Sequence, residues 1–230
     1  MLPMATYVLI HGAGSDGWYW HRVAPLLRER GHRVLSPDLP VHDESAGLQA
    51  YLDVVLDAIG ERSDLVVVGQ SLGGFTAPLV CAERPAQLLV LLNAMIPAPG
   101  ETGLNWWANT GHPVDIGPDF DPVRVFLHDV PADVVAQAAS HAGEQPDTPM
   151  RNPWPLPAWP DVPTRALVTR DDRFFPAAWQ RQVVRDRLGI TADEMPGGHC
   201  VALSRPAELA ERLEGLRHRY ARKDAHSMHR

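Results

Sequence analysis

Four short apolar runs, each closing on glycine or a polar residue, constrain this chain most. They are Tyr7-Val8-Leu9-Ile10 before His11-Gly12, Leu65-Val66-Val67-Val68 before Gly69, Leu88 to Leu92 before Asn93, and Arg165 to Thr169 before Arg170-Asp171-Asp172. Their apolar residues are continuous rather than alternating, as in strands covered on both faces of a parallel sheet. Val34-Leu35 before Ser36-Pro37-Asp38 is a weaker run of the same kind, and Asp193 to Met195 reads as a short strand. Between the runs the period changes to that of a helix. Leu48, Tyr51, Leu52, Val55, Leu56 and Ile59 form one apolar stripe. Trp20, Val23, Leu26 and Leu27 suggest a second, stopped by Gly31, and Ala207, Leu209, Ala210, Leu213 and Leu216 form the last. Strand–helix alternation predicts βαβ units and a doubly wound α/β fold with a mostly parallel sheet of about six strands.

Residues 94–163 break this rhythm. Pro97, Pro99, Trp106-Trp107 and Pro153-Trp154-Pro155-Leu156-Pro157-Ala158-Trp159-Pro160 concentrate there, and Pro131 to Ala139 carries the one helical pattern. Long insertions between sheet strands are functional or disordered, and tryptophans argue against disorder. The segment reads as a small cap over the C-terminal edge of the sheet, with a loop packed on the side of the domain as the alternative. The expected organisation is a core of residues 1–93 and 164–220, a cap of 94–163 and a polar tail of 221–230. The chain from Arg217 on is basic with little periodicity and is expected to fray.

Composition narrows the function classes. A net charge of −7 gives a phosphate backbone no general attraction, so no nucleic-acid partner is expected. No apolar run approaches the ~20 residues that cross a bilayer, and the first residues lack the basic start of a secretory signal. Cys81 and Cys200 do not read as a disulfide framework. Free thiols fit a reducing, cytoplasmic compartment.

The chemistry is concentrated in Gly69-Gln70-Ser71-Leu72-Gly73, a G-x-S-x-G sequence with an apolar strand before it and a helical stretch from about Leu72 through Glu83 after it. There the serine sits on a sharp strand-to-helix elbow, its hydroxyl raised above the sheet at a helix N-terminus. A helix-capping serine would not need the paired glycines. Ser71 is therefore the candidate nucleophile, and it needs a base. In this architecture the acid and then the histidine follow the serine in sequence. His199, in Gly197-Gly198-His199-Cys200, is the candidate base. His218, His226 and His229 lie in the polar tail, and His21 and His32 flank a helix and read as solvated. Asp171 and Asp172 compete for the orienting acid. Pro176, four residues on, favours Asp172, while Asp171 could cap the turn or pair with an arginine. The oxyanion donors are expected to be the amides of Leu72 and Ala13. His11 is expected to brace its loop.

Leu9-Ile10-His11-Gly12-Ala13, Gly17-Trp18-Tyr19-Trp20, Pro25-Leu26-Leu27, Gly31-His32-Arg33-Val34 and Pro37-Asp38-Leu39 resemble the α/β-hydrolase branch of plant methylesterases, hydroxynitrile lyases and related bacterial esterases. Gly69 to Gly74, Asp172 to Pro176 and Gly198-His199 extend the resemblance over the sheet domain, about two-thirds of the chain; the cap does not match clearly. It implies the α/β-hydrolase fold, a triad of Ser71, His199 and Asp172, oxyanion amides at Ala13 and Leu72, and no metal or cofactor. Two positions depart from the lyases, where threonine follows the first-loop histidine and lysine follows the catalytic one. Here they are Gly12 and Cys200, which points to ester hydrolysis, with Gly12 leaving room for an acyl group. Cys200 is expected to be a buried, inert thiol. Trp106, Trp107, Trp154 and Trp159 are candidates for the substrate pocket, each equally able to anchor the cap. The expected activity is that of a serine esterase on a small apolar or aromatic ester. The alternatives are a hydrolase of a lactone, amide or thioester in a biosynthetic pathway, a hydroxynitrile lyase, and a non-catalytic small-molecule binder.

Overall fold

The computed structural model describes residues 3–115 and 117–227. In chain order, β1 (Thr6–Ile10) leads through a 3-10 turn (Gly17–Trp20) to α1 (Ala24–Glu29) and β2 (Arg33–Leu35). Then come α2 (Leu48–Ile59), β3 (Leu65–Gln70), α3 (Gly73–Glu83) and β4 (Ala86–Leu92). The insertion carries α4 (Gly103–Thr110), α5 (Pro122–Phe126), α6 (Ala132–Ala138) and α7 (Asp147–Arg151). The chain returns through β5 (Thr164–Thr169), α8 (Ala177–Leu188), β6 (Asp193–Met195), α9 (Val201–Ser204) and α10 (Pro206–Ser227).

The six strands form one parallel sheet in the order β2-β1-β3-β4-β5-β6. Its inner strands are apolar on both faces because both faces are covered. Val8 and Ile10 of β1, Val67 of β3 and Leu89 and Leu91 of β4 pack in one layer with Tyr51, Val55 and Ile59 of α2, Phe75 and Leu79 of α3 and Val183 and Val184 of α8. Tyr7, Leu9, Val66, Val68, Leu88 and Val90 face the other layer, with Leu27 of α1, Ala202 of α9 and Leu209 and Leu213 of α10. Helix α3 has no polar stripe, since every residue from Gly73 to Val80 is buried.

After β1 the chain builds outward to β2, then crosses back to place β3 on the other side of β1. The strand order therefore reverses between β1 and β3. In open parallel sheets, ligands bind beyond the carboxyl ends of the strands at such a switch point. The loops leaving β1 and β3 are those that carry Gly12-Ala13 and Ser71.

Several expectations are corrected. Trp20 belongs to the 3-10 turn and α1 begins only at Ala24, because Pro25 suits the first turn of a helix and not its interior. Among the described residues, the insertion holds four helices where one was expected. The terminal helix runs on to Ser227, well into the segment read as a fraying tail; residues 228–230 lie outside the described residues. His32 is not solvated but 8% exposed, wedged between β1 and α10. His21 is half-buried, stacked on Trp18 with ring centroids 4.2 Å apart.

Candidate active site

Ser71 occupies the gap between the end of β3 and the start of α3, with φ of 51°. That left-handed backbone is uncommon for a residue with a side chain and signals stored strain. The surroundings hold it: the Ser71 amide donates to the Leu92 carbonyl at 3.2 Å, and the Ser71 carbonyl accepts from the amides of Met95 at 2.9 Å and Gly74 at 3.0 Å. The flanking glycines are needed for close approach. A Cβ on Gly69 would fall 2.6 Å from the Gly73 carbonyl oxygen, and one on Gly73 would fall 2.8 Å from that of Ile10. The first loop thus lies directly against the elbow.

Leu72 is the N-cap residue of α3, and Ala13 lies on the exposed turn after β1. Among the described residues, neither amide donates to a carbonyl or side chain of the chain. His11 braces this loop. Its Nε2 accepts from the Leu39 amide at 3.2 Å, so the proton sits on Nδ1, which donates to the Gly12 carbonyl at 2.9 Å. Burial holds the His11 imidazole below its ordinary pKa, against smaller raising contributions that include the Gly12 bond. Gly12 does not open a space. A Cβ there would meet Gln70 Oε1 at 2.5 Å and Ser71 Cβ at 2.8 Å.

His199 and Asp172 come together as expected. His199 Nδ1 lies 2.8 Å from Asp172 Oδ2. The other carboxylate oxygen accepts from the amides of Phe174 and Phe175, both at 2.8 Å. Asp171 turns away; its carboxylate accepts from the Gly197 amide at 2.9 Å. Gln70, the residue before Ser71, donates from Nε2 to the His199 carbonyl at 3.5 Å, so the elbow and the histidine loop are neighbours. Ser71, Asp172 and His199 are 8%, 5% and 3% exposed. Burial raises the Cys200 thiol, and the carboxylates of Asp172 and Asp129 push the same way, so it stays protonated.

Three side chains behind this pair are not singled out by the sequence reading. Asn93, left-handed at φ 42° at the end of β4, accepts from the Thr169 amide at 2.9 Å and donates to Thr169 Oγ1 at 2.9 Å and to the His199 carbonyl at 3.3 Å. Thr169 Oγ1 donates to the Gly198 carbonyl at 3.0 Å. Gln180 of α8 donates to the Phe175 carbonyl at 2.6 Å and reaches Asp172 Oδ2 at 3.4 Å. All three are buried. An asparagine closing an apolar run was the one visible hint.

The tryptophans divide. Trp106 and Trp154 are fully buried, and their Nε1 groups donate to the carbonyls of Ile96 and Phe75, both at 3.0 Å. Both rings are packed inside the protein rather than lining an open pocket. Trp159 is partly buried, stacks near Trp154 and donates to the Pro97 carbonyl at 3.1 Å. Trp107 packs on Phe174, 5.7 Å between ring centroids. The rings around His199 are instead Phe126, Phe174 and Phe175, at 5.3, 5.4 and 5.0 Å. A groove of about 750 Å³ lies elsewhere, beside Arg28, Arg33 and Arg62 near the amino ends of the strands. Among the described residues no three His, Cys, Asp or Glu side chains gather as a metal site.

Comparison with known proteins gives the family. The chain is 29% identical to a pyrethroid hydrolase of Sphingobium wenxiniae over 92% of its length and 87% of the relative's. It is 24% identical to an alpha-hydroxynitrile lyase of Arabidopsis thaliana over 91% of its length and 96% of the relative's. The crystal structure of polyneuridine aldehyde esterase superposes with a TM-score of 0.80 at 18% identity, covering 93% of this chain and 99% of that one. Residues 7–212 match the alpha/beta hydrolase family, so the strained serine after β3 and the carboxylate-bonded histidine after β6 both sit on a chain that belongs to that family.

Proposed function

We propose that the protein is a serine hydrolase that cleaves carboxylic esters through an acyl-enzyme. The observation that carries this reading is the 2.8 Å contact of His199 Nδ1 with Asp172, on a loop beside the Ser71 elbow. A carboxylate on Nδ1 fixes the tautomer that leaves Nε2 free to take the Ser71 proton. Ser71 Oγ then attacks the ester carbonyl, and the amides of Ala13 and Leu72 hold the oxyanion, each worth roughly 3 kcal/mol of barrier. The imidazolium returns its proton to the leaving alcohol. Water, activated by the same ring, releases the acid and restores Ser71. Residues 94–163 act as the cap, and Phe126, Phe174, Phe175 and Trp107 favour a small apolar or aromatic ester. The relatives' names as esterase and hydrolase support ester hydrolysis over the other acyl-transfer chemistries of this fold. Both free cysteines support a reducing, cytoplasmic setting.

One relative's name keeps a lyase in view. Gly12 speaks against it, because the crowding by Gln70 and Ser71 leaves no place for a threonine side chain there. Cys200, a protonated thiol, cannot supply the ammonium that a departing cyanide would need. A serine-directed fluorophosphonate tests the main reading. A stoichiometric mass increase located on Ser71, lost in Ser71→Ala together with turnover of an ester panel graded by acyl size, is the expected result. Cyanide release from cyanohydrins without ester turnover would support the lyase instead.

A further inference from the structure

The cap grips the histidine loop at one place. From the last residue of α5, the segment from Phe126 to Asp129 touches both loops that carry the acid and the base. The Gly198 amide donates to Asp129 Oδ2 at 2.8 Å. His128 Nε2 donates to the Asp171 carbonyl at 2.9 Å. Gly198 makes this docking possible, since a Cβ there would fall 2.7 Å from both Asp129 Oδ1 and His128 Nε2. On its other side the loop is tied to the acid turn: the Asp171 carboxylate holds the Gly197 amide, and the Asp171 amide donates to the Gly197 carbonyl at 3.0 Å.

Asp129 is a costly choice for a packing residue. Its Oδ1 is buried without a hydrogen-bond partner among the described residues. A buried carboxylate oxygen left unsatisfied is destabilising. What the residue makes in return is one charge-assisted bond to the amide just before His199, stronger than a neutral one. We infer that Asp129 is a positioning residue: a cap-borne carboxylate that clamps Gly198 and so fixes the His199 ring between Asp172 and Ser71. The inference rests on His199 being the base. It adds that the base is aligned by the cap as well as by the sheet.

The test compares Asp129→Ala, Asp129→Asn and Gly198→Ala in the full chain, with Ser71→Ala as control. Kinetics on the best ester of the panel and the downfield proton NMR signal of His199 Nδ1–H are both recorded. Asp129→Ala should lower kcat at least about tenfold with little change in KM, as misalignment of a reacting group does. It should also broaden or shift the downfield signal. Asn retains an acceptor for the Gly198 amide and should recover most of both. Gly198→Ala, which pushes the cap off the loop, should reproduce Asp129→Ala and carries the test if that variant does not fold. Wild-type kcat and an unmoved signal in Asp129→Ala would overturn the inference, as would Asp129→Asn being equally impaired. If Ser71→Ala retains full turnover, the esterase reading itself fails, and the NMR signal still reports whether Asp129 orients His199.

Discussion

Asp171→Asn and Asp172→Asn remove the same charge one residue apart, with different expected outcomes. At 172, Asn keeps an oxygen for the Phe174 and Phe175 amides and turns its NH2 toward His199 Nδ1. That selects the wrong tautomer, and kcat/KM on an ester should fall about 10³–10⁴-fold. At 171, Asn still accepts from the Gly197 amide, and the loss should stay within about tenfold of wild type, the scale on which well-oriented contacts matter. The reverse order would reassign the acid. Gly12→Ala is the second test at this scale. Its Cβ collides with Ser71 Cβ and Gln70 Oε1, so labelling of Ser71 by the phosphonate should slow markedly while the fold persists. An unchanged labelling rate would show that the elbow yields. The Ser71 elbow and the meeting of His199 with Asp172 are legible because each residue lies just past a strand expected from the sequence. Asn93, Thr169 and Gln180 are not, since a buried polar residue shows its partners only once strands and helices distant in sequence are side by side.

At the scale of elements, the insertion of residues 94–163 is the illegible part. Its helices are five to eight residues long, too short for an apolar period to emerge from composition. Their starts were nevertheless written locally. Thr102 accepts from the Asn105 amide at 3.1 Å to open α4, and Asp121, ahead of Pro122, accepts from the Arg124 amide at 3.1 Å to open α5. One indole ties this segment to the sheet domain. Trp154 bonds to the carbonyl of Phe75, the third residue of the helix that Ser71 precedes. Trp154→Phe keeps most of the apolar surface but leaves that indole site without a donor. It should cost about 1–3 kcal/mol by urea unfolding, seen as a lower midpoint at unchanged slope. A midpoint equal to wild type would mean that the cap is held by apolar contact alone.

The whole molecule is closed by a buried link that joins its beginning to its end. Tyr7 of β1 donates its hydroxyl to Glu214 Oε1 of α10, a notably close contact. His32, just before β2, accepts from the Ala5 amide at Nδ1 at 3.2 Å and therefore donates from Nε2 to Glu214 Oε2 at 3.0 Å. Burial pushes the Glu214 carboxyl up, but the bonds from Tyr7 and His32 outweigh it and hold its pKa below the ordinary value. An acid with a lower pKa folded than unfolded binds fewer protons in the folded state between those values. Its contribution is thus complete above the ordinary glutamate pKa of about 4.3 and is lost as pH falls through the depressed folded value. Glu214→Gln removes the charge and turns an NH2 toward a group that already donates. It should lower stability at pH 7 by about 1–3 kcal/mol, and the gap from wild type should narrow steadily below about pH 4.3. Urea midpoints of both proteins from neutral pH down to the acid limit of folding measure this. A gap that stays constant to that limit would mean that the link holds by shape and not by ionisation, with the apolar face of α10, Leu209, Leu213 and Leu216, unaffected by pH.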